Sequence, residues 1–120
     1  MKKHTLLLLL ATALLSSCSN RLLDVTILST KNIDLNNVRG YTTNTNQRVT
    51  GGATTHIISF IPLGYPSAKE AADRAVECNG SQCVGLSNAT FTEKWWWIPF
   101  IYGQITLEVE GDPIMKQPTP

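Results

Sequence analysis

A chain of 120 residues carrying ten basic and nine acidic side chains lacks the basic excess that marks a nucleic-acid binder. Its length and 42% hydrophobic content allow one domain with a modest core, and no internal repeat or second domain is present. Three cysteines and two histidines leave little material for a metal centre.

The chain opens MKKHTLLLLLATALLSSCSN. Lys2 and Lys3 form a positive start, and the run Thr5–Leu15 is uncharged and mainly apolar, which matches the pattern of a secretory signal. Crossing the hydrocarbon core takes roughly 20 residues, so this run is too short for an ordinary transmembrane helix. The segment Leu15-Ser16-Ser17-Cys18 resembles the lipobox of bacterial lipoproteins, an apolar residue and two small ones before a cysteine. The resemblance implies cleavage before Cys18, a diacylglyceryl thioether on its sulfur and an acyl group, palmitate or similar, on its new amino group. Each buried CH₂ of such chains contributes about 0.8 kcal/mol to anchoring. Ser19 after the cysteine implies outer-membrane sorting in a Gram-negative host. The alternatives are a plain secretory signal with an incidental cysteine or an uncleaved N-terminal anchor.

Removing residues 1–17 of the 120 leaves 103, with eight basic and nine acidic side chains. No basic cluster follows Cys18, so the lipid itself would supply the attachment. Residues 18–54 are expected to hold the lipidated N-terminus, a first strand and a polar loop. The strand is Asp24–Thr30, where polar and β-branched apolar residues alternate. Tyr41–Thr55 is Thr, Asn and Gly with little to bury, and suggests a mobile loop or an edge ribbon turning at Gly51-Gly52.

Residues 55–113 are expected to form an α+β core, and 114–120 a flexible tail, with 18–120 one domain. The dense apolar run Thr55–Gly64 predicts a central strand stopped by Pro62 and Gly64. Ser67 and Glu70 form a capping box after Pro66. The helix it starts has a small apolar face of Ala68, Ala71, Ala72, Ala75 and Val76, and ends toward Gly80, which suits a left-handed cap.

Cys78 and Cys83 enclose Asn79-Gly80-Ser81-Gln82, and an even pair in an exported domain predicts a disulfide worth roughly 2 kcal/mol. Two free thiols, a redox pair or metal ligands are the alternatives, with His56 as the sole histidine after residue 17. Val84–Lys94 predicts a strand, and so does Gly103–Gly111, where Ile105, Leu107 and Val109 oppose Thr106, Glu108 and Glu110. Gly111-Asp112-Pro113 is expected to end it. Between these strands lies Glu93–Gln104, expected to hold their connection with Pro99 at or near the bend. In extended backbone Trp95 and Trp97 share one face and Trp96 takes the other. They are candidates for filling gaps over the alanine face, for contacting a partner, or for meeting bilayer headgroups. The sum is a small antiparallel sheet with one helix packed on one face and a long C-terminal hairpin, an α+β fold.

No catalytic constellation accompanies His56, expected to be a strand histidine with a satisfied hydrogen bond. Glu108, Glu110 and Asp112 are too few for an ordinary Ca²⁺ site and suggest a solvated strand face. Asn88-Ala89-Thr90 matches the glycosylation sequon, which a bacterial lipobox sets aside. The half of the chain from Thr55 resembles the Bor/Iss-type small surface lipoproteins of enterobacteria and their phages, in the order THIISF, a glycine, the helix EAADRAVECNG, a Thr-rich strand and an apolar hairpin. That resemblance implies an envelope protein exposed to host or periplasm, and the lipobox resemblance carries over Cys18 alone. The expected function is that of a lipid-anchored, non-enzymatic interaction or structural module of the outer membrane or periplasm, without cofactor and without nucleic acid. Its partners would be the membrane, through Cys18, and another envelope protein. An envelope-stress or host-interaction lipoprotein is the alternative, and a small hydrolase or metal enzyme a remote one.

Overall fold

The computed structural model describes residues 1–14, 17–77 and 80–118. The chain is a mixed α+β fold dominated by one antiparallel sheet. Its elements are α1 (Lys2–Leu14), β1 (Cys18–Ser29), β2 (Tyr41–Thr43), β3 (Val49–Ile58), β4 (Ile61–Pro62), α2 (Ala68–Glu77), β5 (Cys83–Ile98) and β6 (Tyr102–Lys116). The strand order is β1-β5-β6-β3-β4, with β2 also paired to β6.

Helix α1 stands apart from the packed core. Leu6 to Leu10 are 62–73% exposed, and none of its described side chains joins the hydrophobic cluster. No described helix is long and apolar enough to cross a membrane.

Helix α2 occupies the span its alanine face predicts. The Glu70 amide donates to Ser67 Oγ at 3.3 Å, which forms one half of the capping box. The Glu70 carboxylate instead meets Arg74 at 2.5 Å, an i,i+4 pair on the exposed side. Gly80 closes the helix at φ +89°, its amide donating to Glu77 O at 3.1 Å. Ala71, Ala72, Ala75 and Val76 are buried, while Ala68 is exposed. Ala71, Ala75 and Val76 meet Ala53 on β3, Leu86, Ala89 and Phe91 on β5, and Leu107 and Val109 on β6.

The polar Tyr41–Thr55 stretch is where expectation and structure differ most. Gly51 and Gly52 do not turn the chain; they lie inside β3, paired with Val109 and Glu108. The reason is clearance. A Cβ on Gly51 would sit 2.2 Å from the backbone N of Ala75 and 2.4 Å from Ala71 O, so α2 can rest on β3 only over a bare backbone. The apolar run Thr55–Gly64 is likewise not one central strand. β3 ends at Ile58, turns through Ser59 (φ +59°) and Phe60, and returns as the two-residue β4 at the sheet edge.

Three strands run longer than their sequence patterns predict. β1 begins at Cys18 rather than Asp24, because β5 extends far enough to pair Cys18 with Trp95. β5 extends through the tryptophans to Ile98, leaving only Pro99, Phe100 and Ile101 as the connection. β6 continues through Gly111-Asp112-Pro113 to Lys116, so residues 114–116 are strand and not tail. Pro113 is tolerated because its carbonyl accepts from Asn44 N at 3.1 Å on the flank away from β5. Its missing donor therefore faces the gap between β3, which leaves β6 at Gly111, and β2, which joins at Ile114. A register shift between Ser87 and Thr90 carries Asn88 at φ +49°, a conformation that asparagine adopts more easily than most residues.

Candidate functional site

The buried face of the sheet continues beyond the end of α2. Along β6 the inward side runs Val109, Leu107, Ile105; along β5 it runs Phe91, Glu93, Trp95, Trp97. Helix α2 covers the first part, and past it the face opens into a groove of about 690 Å³ whose lining includes Ile57, Phe60, Tyr65, Trp95, Trp97 and Ile105. No residue of α2 lines it.

Trp97 fixes the floor. Its indole Nε1 donates to Ser59 O at 2.9 Å, and its ring meets Phe60 edge-on at a centroid distance of 5.6 Å. Phe60 packs in turn on Phe100 at 4.7 Å, so the β3–β4 turn and the β5–β6 turn are held together by aromatic rings. Ser59 N also donates to Ile101 O at 3.4 Å. Gly103 opposite Trp97 has no alternative, because a Cβ there would lie 2.7 Å from the indole and 2.9 Å from Trp96 O. Tyr65 crosses one wall, its hydroxyl donating to Glu93 Oε1 at 3.2 Å. That hydrogen bond, with the carboxylate charge behind it, holds the phenol above its ordinary pKa.

The expected division of the tryptophans between faces is present, with a different consequence. Trp95 and Trp97 line the groove together, and Trp96 turns to the opposite face against Tyr102, rings 5.5 Å apart. None fills space over the alanines, because all three lie beyond the helix. Trp95, on the inward face, is the most open of the three at 42% exposure, while Trp96 and Trp97 are half-buried.

His56 is a strand residue whose Nδ1 hydrogen-bonds the Tyr102 hydroxyl, with the rings stacked. The carboxylates of β6 are occupied separately. Glu108 takes Lys94 at 2.8 Å, Glu110 takes Arg48 at 2.9 Å, and Asp112 is buried with Asn88 Nδ2 at 3.4 Å. Among the described residues no three His, Cys, Asp or Glu side chains converge to hold a metal ion. A smaller polar cleft of about 270 Å³ lies between β1 and the Asn88 bulge, where Arg21 bonds Asp24 and holds its carboxyl below the usual range. Its two arginines are each paired with a carboxylate, at Asp24 and Glu110.

No protein-family model matches the chain, and no curated protein or solved structure matches it. The site must therefore be read from its own geometry.

Cys18 is exposed at the start of β1 and pairs across the sheet with Trp95. Cys83 is a free thiol, wholly buried, its Sγ 3.5 Å from Gly85 O; Cys78, its expected disulfide partner, lies outside the described residues. Burial pushes the Cys83 thiol up against the weaker opposing pull of nearby backbone groups and Lys31. In folded, reduced protein Cys83 is expected to resist alkylation by iodoacetamide at pH 8 and to label fully after unfolding. Mass spectrometry of the labelled peptide checks this.

Sequence patterning pointed to the tryptophans but missed the other wall of the groove, Ile57, Phe60, Tyr65 and Ile105. The available signal was Phe60 between Ile58 and Ile61 just ahead of Pro62 and Gly64, which marks a tight apolar turn rather than a continuous strand.

Proposed function

We propose that the chain is a lipid-anchored envelope protein, attached through Cys18 and serving as a non-enzymatic interaction module. The observation that carries this is a coincidence of boundaries. The sheet begins at Cys18, and the apolar helix α1 (Lys2–Leu14) ahead of it adds no described side chain to the hydrophobic core. Cleavage before Cys18 would remove no described member of the hydrophobic cluster. It would leave a sheet with α2 as the one helix on one face. The open aromatic groove favours an interaction role, since exposed apolar surface of this kind marks a contact site.

The test is the mass of the N-terminal peptide of chain recovered from membranes. It is expected to start at Cys18 and carry a diacylglyceryl thioether, with Cys18→Ser abolishing the lipid mass and retaining residues 1–17. A wild-type chain that keeps residues 1–17 with an unmodified Cys18 overturns the proposal.

A further inference from the structure

Cys18 is not on a tether. It is the first residue of β1, and the next two residues, Ser19 and Asn20, are already paired with Lys94 and Glu93. A lipid attached there would draw the sheet itself against the bilayer, and the row to arrive first is Cys18, Trp95, Ile105. Beyond that row toward the two turns, residues 56–66 and 95–105 contain no Asp, Glu, Lys or Arg, and His56 is hydrogen-bonded to Tyr102. The same end exposes Phe100 at 74%, Ile61 at 69%, Ile101 at 67% and Phe60 at 55%. These side chains are held in one body by the Phe60–Phe100 and Phe60–Trp97 contacts. Exposed phenylalanine and isoleucine side chains in water are unfavourable relative to burial in an apolar phase. Indole and phenol rings with one polar end suit the headgroup level of a membrane.

Resting on the lipid anchor proposed above, we infer that the aromatic end of the sheet is a second membrane contact. The Phe60 and Phe100 turns and the Trp95–Trp97 groove enter the headgroup–acyl boundary beside the acylated Cys18. The bilayer is the occupant of the groove, and the contact fixes the orientation of the domain. Helix α2 and the charged pairs of β6 then lie away from the tips of the two turns.

The protein carries its own reporter, because its three tryptophans are all at this end. Full chain processed in cells is reconstituted into vesicles of phosphatidylethanolamine and phosphatidylglycerol, with and without brominated acyl chains. Brominated lipid is expected to quench the tryptophan emission and the emission maximum to move to the blue. Phe100→Asp with Ile101→Asp, at two exposed turn positions, is expected to reduce the quenching while the chain stays vesicle-bound. Absence of bromolipid quenching in vesicle-bound chain whose Cys18 is lipidated by mass spectrometry overturns the inference and leaves the anchor standing. An unmodified Cys18 overturns the anchor, and the inference with it.

Discussion

Gly51→Ala is expected to destabilise the fold by about 3 kcal/mol, lowering the melting temperature by roughly 15 °C. The new Cβ would fall 2.2 Å from Ala75 N, 2.4 Å from Ala71 O and 2.7 Å from Ala75 Cα. All three are backbone atoms, so no side-chain rotation relieves the overlap and α2 must lift from the sheet. Lifting it exposes Ala71, Ala75 and Val76 together with the Ala53, Leu107 and Val109 surface beneath. Gly52→Ala is the control, since a Cβ there meets nothing nearer than 3.7 Å. Thermal unfolding followed by circular dichroism separates the two. Equal stability of the Gly51→Ala variant and wild type would show that α2 does not rest on that backbone.

Leu86→Ala is expected to cost about 3 kcal/mol, within the range seen for fully buried leucines. Leu86 is 0% exposed and is the largest fully buried side chain among the described residues, in a cluster otherwise built mostly of alanine and valine. Small neighbours on a helix and two strands are poorly placed to collapse into the space its isobutyl group leaves. Urea unfolding is expected to show a lower midpoint with an unchanged slope, because the surface exposed on unfolding hardly changes. A loss below about 1 kcal/mol would mean that the core relaxes around the cavity.

Much of the architecture was legible because local rules and tertiary packing agreed. Ser67, the alanine face and Gly80 define α2 through capping and 3.6-residue periodicity, and both operate within a few residues of chain. Ile105, Leu107 and Val109 alternate with polar residues, and β6 turns all three to one face, Leu107 and Val109 into the core and Ile105 into the groove. The hairpin of β5 and β6 followed from two strand patterns around Pro99.

The misjudged segments share one property, which is that their conformation is imposed from a distance. Gly51-Gly52 looks like a turn in sequence, yet it is extended because β6 pairs with it and α2 needs the space. Pro113 looks like a strand end, yet β6 passes through it because its missing donor faces a gap between two other strands. Asp112, next to it, is buried beside Asn88, whose bulge no pattern in the sequence announced.

The sequence by itself determined the leading apolar segment, the helix, the alternation of the last strand and the opposite facing of adjacent tryptophans. Those are local matters of hydropathy, capping and backbone pleat. Only the tertiary structure decided that α2 is too short to cover the whole inner face of a hairpin as long as β5 and β6. It also decided that the Thr55–Gly64 run folds back to wall the uncovered part, and that β1 begins opposite Trp95. A groove exists because a ten-residue helix lies on strands of sixteen and fifteen residues. The remaining apolar face has no cover within the described chain, and Cys18 stands beside it.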